Sequence, residues 1–287
     1  MNTSNLSRTT TDDRDPMRNL EQNMKISRFS SKTIKSYLYY NKDMLRFANY
    51  KSPKEITSSD IKDYLEYLVD SGKSSATINL VINSLKYYYQ GILKRRILNG
   101  ASDIKRPKSD KKLQIVLYKQ EIVRMIKVCE NIKHKLMIQI LYCSGLRVSE
   151  LKDLRIDHVD FDRKMILVKQ GKGKKDRNTI ISEIVLENVH KYLLEYKPLK
   201  YLFESLSAGK RMSVRSIQKV VTEASSRAGI NKNVSAHTLR HTFATHLLEN
   251  NVNLRYIQSL LGHARLETTQ VYTKVASKSL QEIEDLL

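Results

Sequence analysis

Apolar residues recur at helical spacing along most of this chain, and one short stretch departs from that rule. From Ser31 onward Ile34, Tyr37, Leu38, Met44, Leu45 and Ala48 fall on one helical face, with Ser30 or Ser31 placed to cap the start. A second helix is expected after Ser58 or Ser59, with the stripe Ile61, Tyr64, Leu65 and Leu68 and with Gly72 as its stop. Ile78, Val81, Ile82, Leu85, Tyr89 and Ile92 mark a third. Three helices with one apolar face each predict a small bundle over residues 21–104, its polar faces dense in lysine. Residues 1–20 are rich in Thr, Asn, Asp and Arg and carry almost no periodicity, which predicts a disordered arm.

Residues 105–112, KRPKSDKK, hold a proline, several basic side chains and no apolar residue, and read as an exposed linker able to lie as a strap along an anionic surface. Beyond it, residues 113–287 are again mostly helical in pattern. The exception is Met165–Lys169 and Asn178–Ile181, two runs rich in Ile, Val and Leu around the polar turn GKGKKD, which predict a β-hairpin. A chain of 287 residues exceeds the usual size of one domain. The expected fold class is therefore mainly α in two domains, an N-terminal helical bundle and a C-terminal mostly helical domain with a small antiparallel sheet.

Charge narrows the choice of partner. Lysine and arginine number 51 against 30 acidic residues, a formal charge of +21 that solubility does not need, so an anionic partner is expected and nucleic acid comes first. No apolar run approaches the length that spans a bilayer, and residues 1–19 lack the apolar core of a signal peptide, so a cytoplasmic location without membrane contact is expected. Two cysteines, Cys129 and Cys143, cannot build a disulfide framework and sit in apolar helical patterns, as buried reduced thiols do.

Four segments could carry chemistry. In SGLRVSEL, Ser144 to Leu151, a glycine precedes Arg147, which opens a helix; Glu150 lies one turn on and could orient that arginine, although a surface ion pair is the commoner outcome. QGKGKKDR, Gln170 to Arg177, lacks the spacing of a nucleotide-binding P-loop, and its lysines suit a hairpin tip near a phosphate backbone. In SAHTLRHTFATHLL, Ser235 caps a helix on which His237, Arg240 and His241 share a face. His237 and His241 have the spacing of a zinc pair, but Thr238 stands where a metalloprotease has its glutamate and no nearby Cys or acid completes the set. In LLGHARLETTQVYTKV, Gly262 ends a helix, His263 follows at once, and Tyr272 sits on a further helical turn. Singly, each segment also fits a surface arginine, solvated lysines, a capping histidine or a core tyrosine.

Together, in this order and spacing, the four segments resemble the tyrosine recombinase (phage integrase) family, and within it the Xer group. The resemblance covers residues 113–287 closely, and the helical first half is similar to the family's core-binding domain. It implies a SAM-like bundle at 21–104 and a catalytic domain of the DNA breaking-rejoining fold. Position by position it assigns Arg147 and Arg240 to phosphate binding, Lys172 to the hairpin turn, His237 and His263 to the active site, and Tyr272 as nucleophile. All six are present. The polar arm is longer than that compact group usually has.

The resemblance further implies a site-specific recombinase that passes through a 3′-phosphotyrosyl intermediate and needs neither ATP nor metal as cofactor, with chromosome-dimer resolution as the expected role. Double-stranded DNA would be the partner, bound as two duplexes by a homotetramer. The terminal segment SLQEIEDLL, with Leu280, Ile283 and Leu287 on one face, would dock as a helix on a neighbouring subunit. A mobile-element integrase, a type IB topoisomerase and a DNA-binding protein without catalysis are the alternatives, and the intact set of six residues argues against the last.

The chemistry explains the residue types. Attack on a phosphodiester builds charge on two non-bridging oxygens, which planar guanidinium forks match with paired, charge-assisted hydrogen bonds. A phenol with a pKa of about 10 needs a proton acceptor or a cationic pocket. His237 is the candidate acceptor, and Lys172, with Lys174 and Lys175 as rivals, could protonate the departing 5′-oxygen.

Overall fold

The computed structural model describes residues 17–95, 106–107, 114–169, 176–262 and 269. The chain divides into two compact units, Met1–Lys111 and Lys112–Leu287.

In the first unit, helices α1 (Arg18–Ile26), α2 (Ser31–Phe47), α3 (Ser58–Asp70) and α4 (Ser75–Leu85) pack around one core. Ser30 caps α2 by accepting a hydrogen bond from the backbone N–H of Thr33 at 3.1 Å. The cap of α3 is Thr57 rather than Ser58 or Ser59: its hydroxyl accepts the Asp60 N–H while the Asp60 carboxylate accepts the Thr57 N–H, a reciprocal box that a serine one or two places later cannot form. Gly72 closes α3 at φ +73°. The third expected stripe begins in α4 but finishes in a wider π-helical segment, Lys86–Ile92, which keeps Tyr88 and Tyr89 buried. Buried Asn41 donates to Ser84 Oγ at 2.8 Å and to the Tyr37 carbonyl at 2.9 Å, fixing α2 against α4.

The last residues of the arm expected over residues 1–20 belong to the bundle, and residues 1–16 lie outside the described residues. Met17, Leu20 and Met24 are buried in the bundle core, and α1 packs on α2. Three apolar residues among polar neighbours give a weak signal on their own, and their helix is fixed by the groove that receives them. Of the basic linker, Arg106 and Pro107 are described: Arg106 donates to Asn83 Oδ1 at 3.0 Å and the Pro107 carbonyl accepts from Asn79 at 3.1 Å, so this part rests on α4 instead of standing free.

The second unit holds α5 (Lys119–Lys127), α6 (Ile132–Cys143), α7 (Val148–Asp153), a three-residue turn of 3₁₀ helix, strands β1 (Val159–Asp160), β2 (Met165–Val168) and β3 (Arg177–Ile180), then α8 (Glu183–Tyr196), α9 (Val214–Arg227), α10 (Ala236–Glu249) and α11 (Leu254–Leu261). The hairpin pairs Met165 with Ile180 and Val168 with Arg177, antiparallel as its pattern predicts; β1, too short to show periodicity, adds a third strand beside β2. Helix α6 is the centre of the core, with Leu136, Met137, Ile138, Ile140 and Leu141 all buried against α5, α8 and α10. Such burial on every side is the mark of a core helix. Cys129 and Cys143 are free and only partly buried. No helix among the described residues is long and apolar enough to cross a membrane.

Candidate active site

The site lies where the start of α7, the strand β3, the first turns of α10 and the end of α11 meet. Glu150 is its hub. Arg147 is the cap of α7, and Glu150, three residues on, reaches back so that Oε2 accepts the Arg147 backbone N–H at 2.8 Å and Oε1 accepts Arg147 Nη1 at 2.7 Å. Arg177, on β3, meets the same carboxylate as a fork, Nη1 to Oε1 and Nη2 to Oε2, both at 2.8 Å. Arg240 Nη1 stands 3.7 Å from Oε2. Glu150 thus holds Arg147, the role its spacing suggested, and does so buried instead of in the commoner surface pair, its side chain being 6% exposed. Burial alone would raise its carboxyl, but the hydrogen bonds and charge of Arg177, and then of Arg147, outweigh that and hold it down to about 2.

Arg240 projects from α10 into the interior with 2% of its side chain exposed. A buried guanidinium needs acceptors, and it finds backbone ones: Nη1 donates to the Gly145 carbonyl at 2.6 Å and Nη2 to the Leu261 carbonyl at the end of α11. Gly145 must be glycine here. Its φ is +58°, and an added Cβ would come within 2.4 Å of the Phe243 ring.

His237 and His241 stand one turn apart on α10, their rings stacked at 6.0 Å with 22° between planes. Burial lowers the pKa of His237, and the charges of Arg240 and Arg147 lower it further, with Glu150 opposing in part. His241 is pushed down to about 4, by burial first and then by His237 and Arg240. Both imidazoles are therefore neutral near pH 7, and His237 is in the form that can accept a proton.

Of the six residues expected at the site, the structure brings Arg147, His237 and Arg240 together. Lys172, His263 and Tyr272 lie outside the described residues, as does the terminal segment from Leu280 to Leu287. Arg177 was not singled out from the sequence. Its signal there was faint: one more basic residue in a run of lysines, but the one in phase with the start of a strand.

Residues 116–279 match the phage integrase family, and residues 17–98 match the N-terminal SAM-like domain of phage integrases. Tyrosine recombinase XerA of Pyrococcus horikoshii is 38% identical over 256 residues, covering 88% of this chain and 86% of the relative. Tyrosine recombinase XerD of Oceanobacillus iheyensis is 35% identical over 265 residues, covering 87% of each. Among solved structures, XerH site-specific recombinase in a post-cleavage complex with a palindromic difH substrate superposes with a TM-score of 0.69 at 25% identity, covering 88% of this chain and 78% of that one. With a family match over more than half its length and relatives above 30% identity across most of it, this chain belongs to the phage integrase family, as a Xer-type tyrosine recombinase, an enzyme of site-specific DNA recombination.

Proposed function

We propose that the chain cleaves and rejoins double-stranded DNA at a specific recombination site through a 3′-phosphotyrosyl intermediate on Tyr272, in the resolution of chromosome dimers. The observation that carries this reading is the cluster around Glu150, in which three guanidiniums meet one carboxylate beside a neutral histidine. An excess of positive charge fixed in a partly dry site suits a group that becomes more negative as it reacts.

In this mechanism Arg147 and Arg240 donate to the non-bridging oxygens of the scissile phosphate. His237 accepts the phenol proton of Tyr272, whose oxygen bonds to phosphorus. The bond from phosphorus to the 5′-oxygen breaks, and Lys172 protonates that oxygen. His263 hydrogen-bonds the phosphate. Attack by the 5′-hydroxyl of another strand reverses these steps, so the energy of the phosphodiester is conserved, and no cofactor enters them. The XerH site-specific recombinase in complex with its difH substrate and the relatives that are tyrosine recombinases support DNA as partner and site-specific recombination as the reaction.

Incubation with a nicked duplex carrying the target site, which lets the short 5′-fragment diffuse away, should trap a covalent adduct that survives denaturation. Tyr272→Phe should give none; an equal yield from that variant would reject the mechanism.

Recombination needs two duplexes and four cleaving subunits, and the apolar face of Leu280, Ile283 and Leu287 is the segment proposed to link neighbours in a homotetramer. Deletion of residues after Ser279 should leave binding to a single site unchanged and impair recombination between two sites. Full recombination by the truncated protein would remove the segment from that role.

A further inference from the structure

We infer that Arg177 is a positioning residue of the active site, which locks Glu150 and the end of α11 to strand β3 so that Arg147 and Arg240 meet the scissile phosphate in register; the inference rests on the strand-cleavage reading above. Its guanidinium uses all three nitrogens. Nη1 and Nη2 take the two oxygens of Glu150, and Nε donates to the Leu260 carbonyl, each at 2.8 Å. The two bonds of the fork fix the carboxylate in position and orientation together while the third holds the helix end, which a lysine ammonium on a flexible stem cannot do.

The end of α11 shows a division of labour. Its last carbonyls have no partner within the helix. Leu260 O is taken by Arg177 and Leu261 O by Arg240, so two arginines from different elements cap successive carbonyls of one helix end. Gly262 follows, at φ +63°, and a Cβ there would stand 2.8 Å from Arg177 Cδ and 3.2 Å from Nε. Glycine is required at this position twice over, by the backbone and by the arginine stem lying against it. His263 is the next residue in the chain. On its other side Arg177 pairs with Val168 across the hairpin, and the chain joining those two residues contains Lys172. One side chain thus ties strand β3 to α7, which opens on Arg147, and to the end of α11, which Arg240 also caps.

Charge gives it a second effect. Glu150 touches Arg147 and lies near Arg240, and a carboxylate free to serve those two alone would neutralise the charge meant for phosphate. Arg177 occupies both oxygens, shares that negative charge, and leaves the two phosphate-binding arginines to act as donors to the substrate.

The test uses the full-length protein on the nicked duplex, with adduct rate read at saturating protein and affinity read separately by fluorescence anisotropy at fixed salt. Arg177→Gln and Arg177→Lys should both lose about 100-fold in rate while affinity, spread over many phosphate contacts, stays within about threefold. Arg177→Lys, which keeps the charge and much of the stem, is the variant expected to fold if Arg177→Gln does not. In the Glu150→Gln background, Arg177→Gln should cost little more, because both act through one contact. Rescue of the rate by Arg177→Lys, a rate loss matched by an equal loss of affinity, or additive losses in the double variant would each overturn the inference. Absence of adduct from the unaltered protein would instead sink the strand-cleavage reading itself.

Discussion

Glu150→Gln should both destabilise the protein and nearly abolish strand cleavage. The substitution keeps the size of the side chain and removes its charge. Arg147, Arg177 and Arg240 then face an amide whose oxygen can accept only part of what the carboxylate accepts and whose NH₂ points a donor at donors. Breaking a buried ion pair from one side costs about 3–5 kcal/mol, because the partner charges stay buried without compensation. The pH dependence carries the sign of a depressed acid. Glu150 is held at about 2 against an ordinary 4.5, so its contribution is present above the ordinary value and is lost as pH falls from there through about 2. That contribution is on the order of 3 kcal/mol. Chemical denaturation at several pH values should show wild type well above Glu150→Gln at pH 7, with the gap closing as the pH drops below about 4. A gap that stays constant with pH would mean that the carboxylate charge is not what holds the cluster.

Arg240→Ala and Arg147→Ala should separate catalysis from folding. Both remove a phosphate donor, and each should cost about 100-fold or more in the rate of adduct formation. Their structural roles differ. Arg240 is 2% exposed and satisfies the carbonyls of Gly145 and Leu261, so its loss leaves two interior acceptors unpaired at about 1–3 kcal/mol each. Arg147 is 17% exposed and bonds to a Glu150 that keeps Arg177 when Arg147 is gone. Thermal unfolding should therefore place Arg240→Ala clearly below wild type and Arg147→Ala close to it, while neither forms adduct at a useful rate. Equal midpoints for the two variants would show that the interior bonds of Arg240 do not hold α11 in place.

Much of this architecture was legible in the amino-acid order, for reasons that can be named. The stripes of α2 and α3 and the period-two runs of the hairpin are local signals, and local rules read them correctly. So did the i, i+3, i+4 spacing that sets His237, Arg240 and His241 on one turn of α10. Helix α1 was missed because Met17, Leu20 and Met24 gain their meaning from a groove built by residues far along the chain. The buried state of Glu150 was missed for the same kind of reason. An i, i+3 pair with Arg147 is visible in the sequence, but a second arginine 27 residues away and a third on α10 are not. Arg177 belongs to that class too, its role set by the Val168 pairing and by the carbonyl of Leu260, neither of which leaves a mark in a single sequence. The family resemblance supplied the long-range information that periodicity lacks.

The central claim is that one tyrosine, Tyr272, becomes bonded to DNA, and peptide mapping of the trapped adduct tests it most directly. Digestion of the adduct with protease and nuclease, followed by mass spectrometry, should find a nucleotide remnant on a single peptide, the one containing Tyr272, linked through its phenolic oxygen to a 3′-phosphate. A remnant on any of the chain's other 15 tyrosines, on a serine, or at a 5′-phosphate would contradict the account.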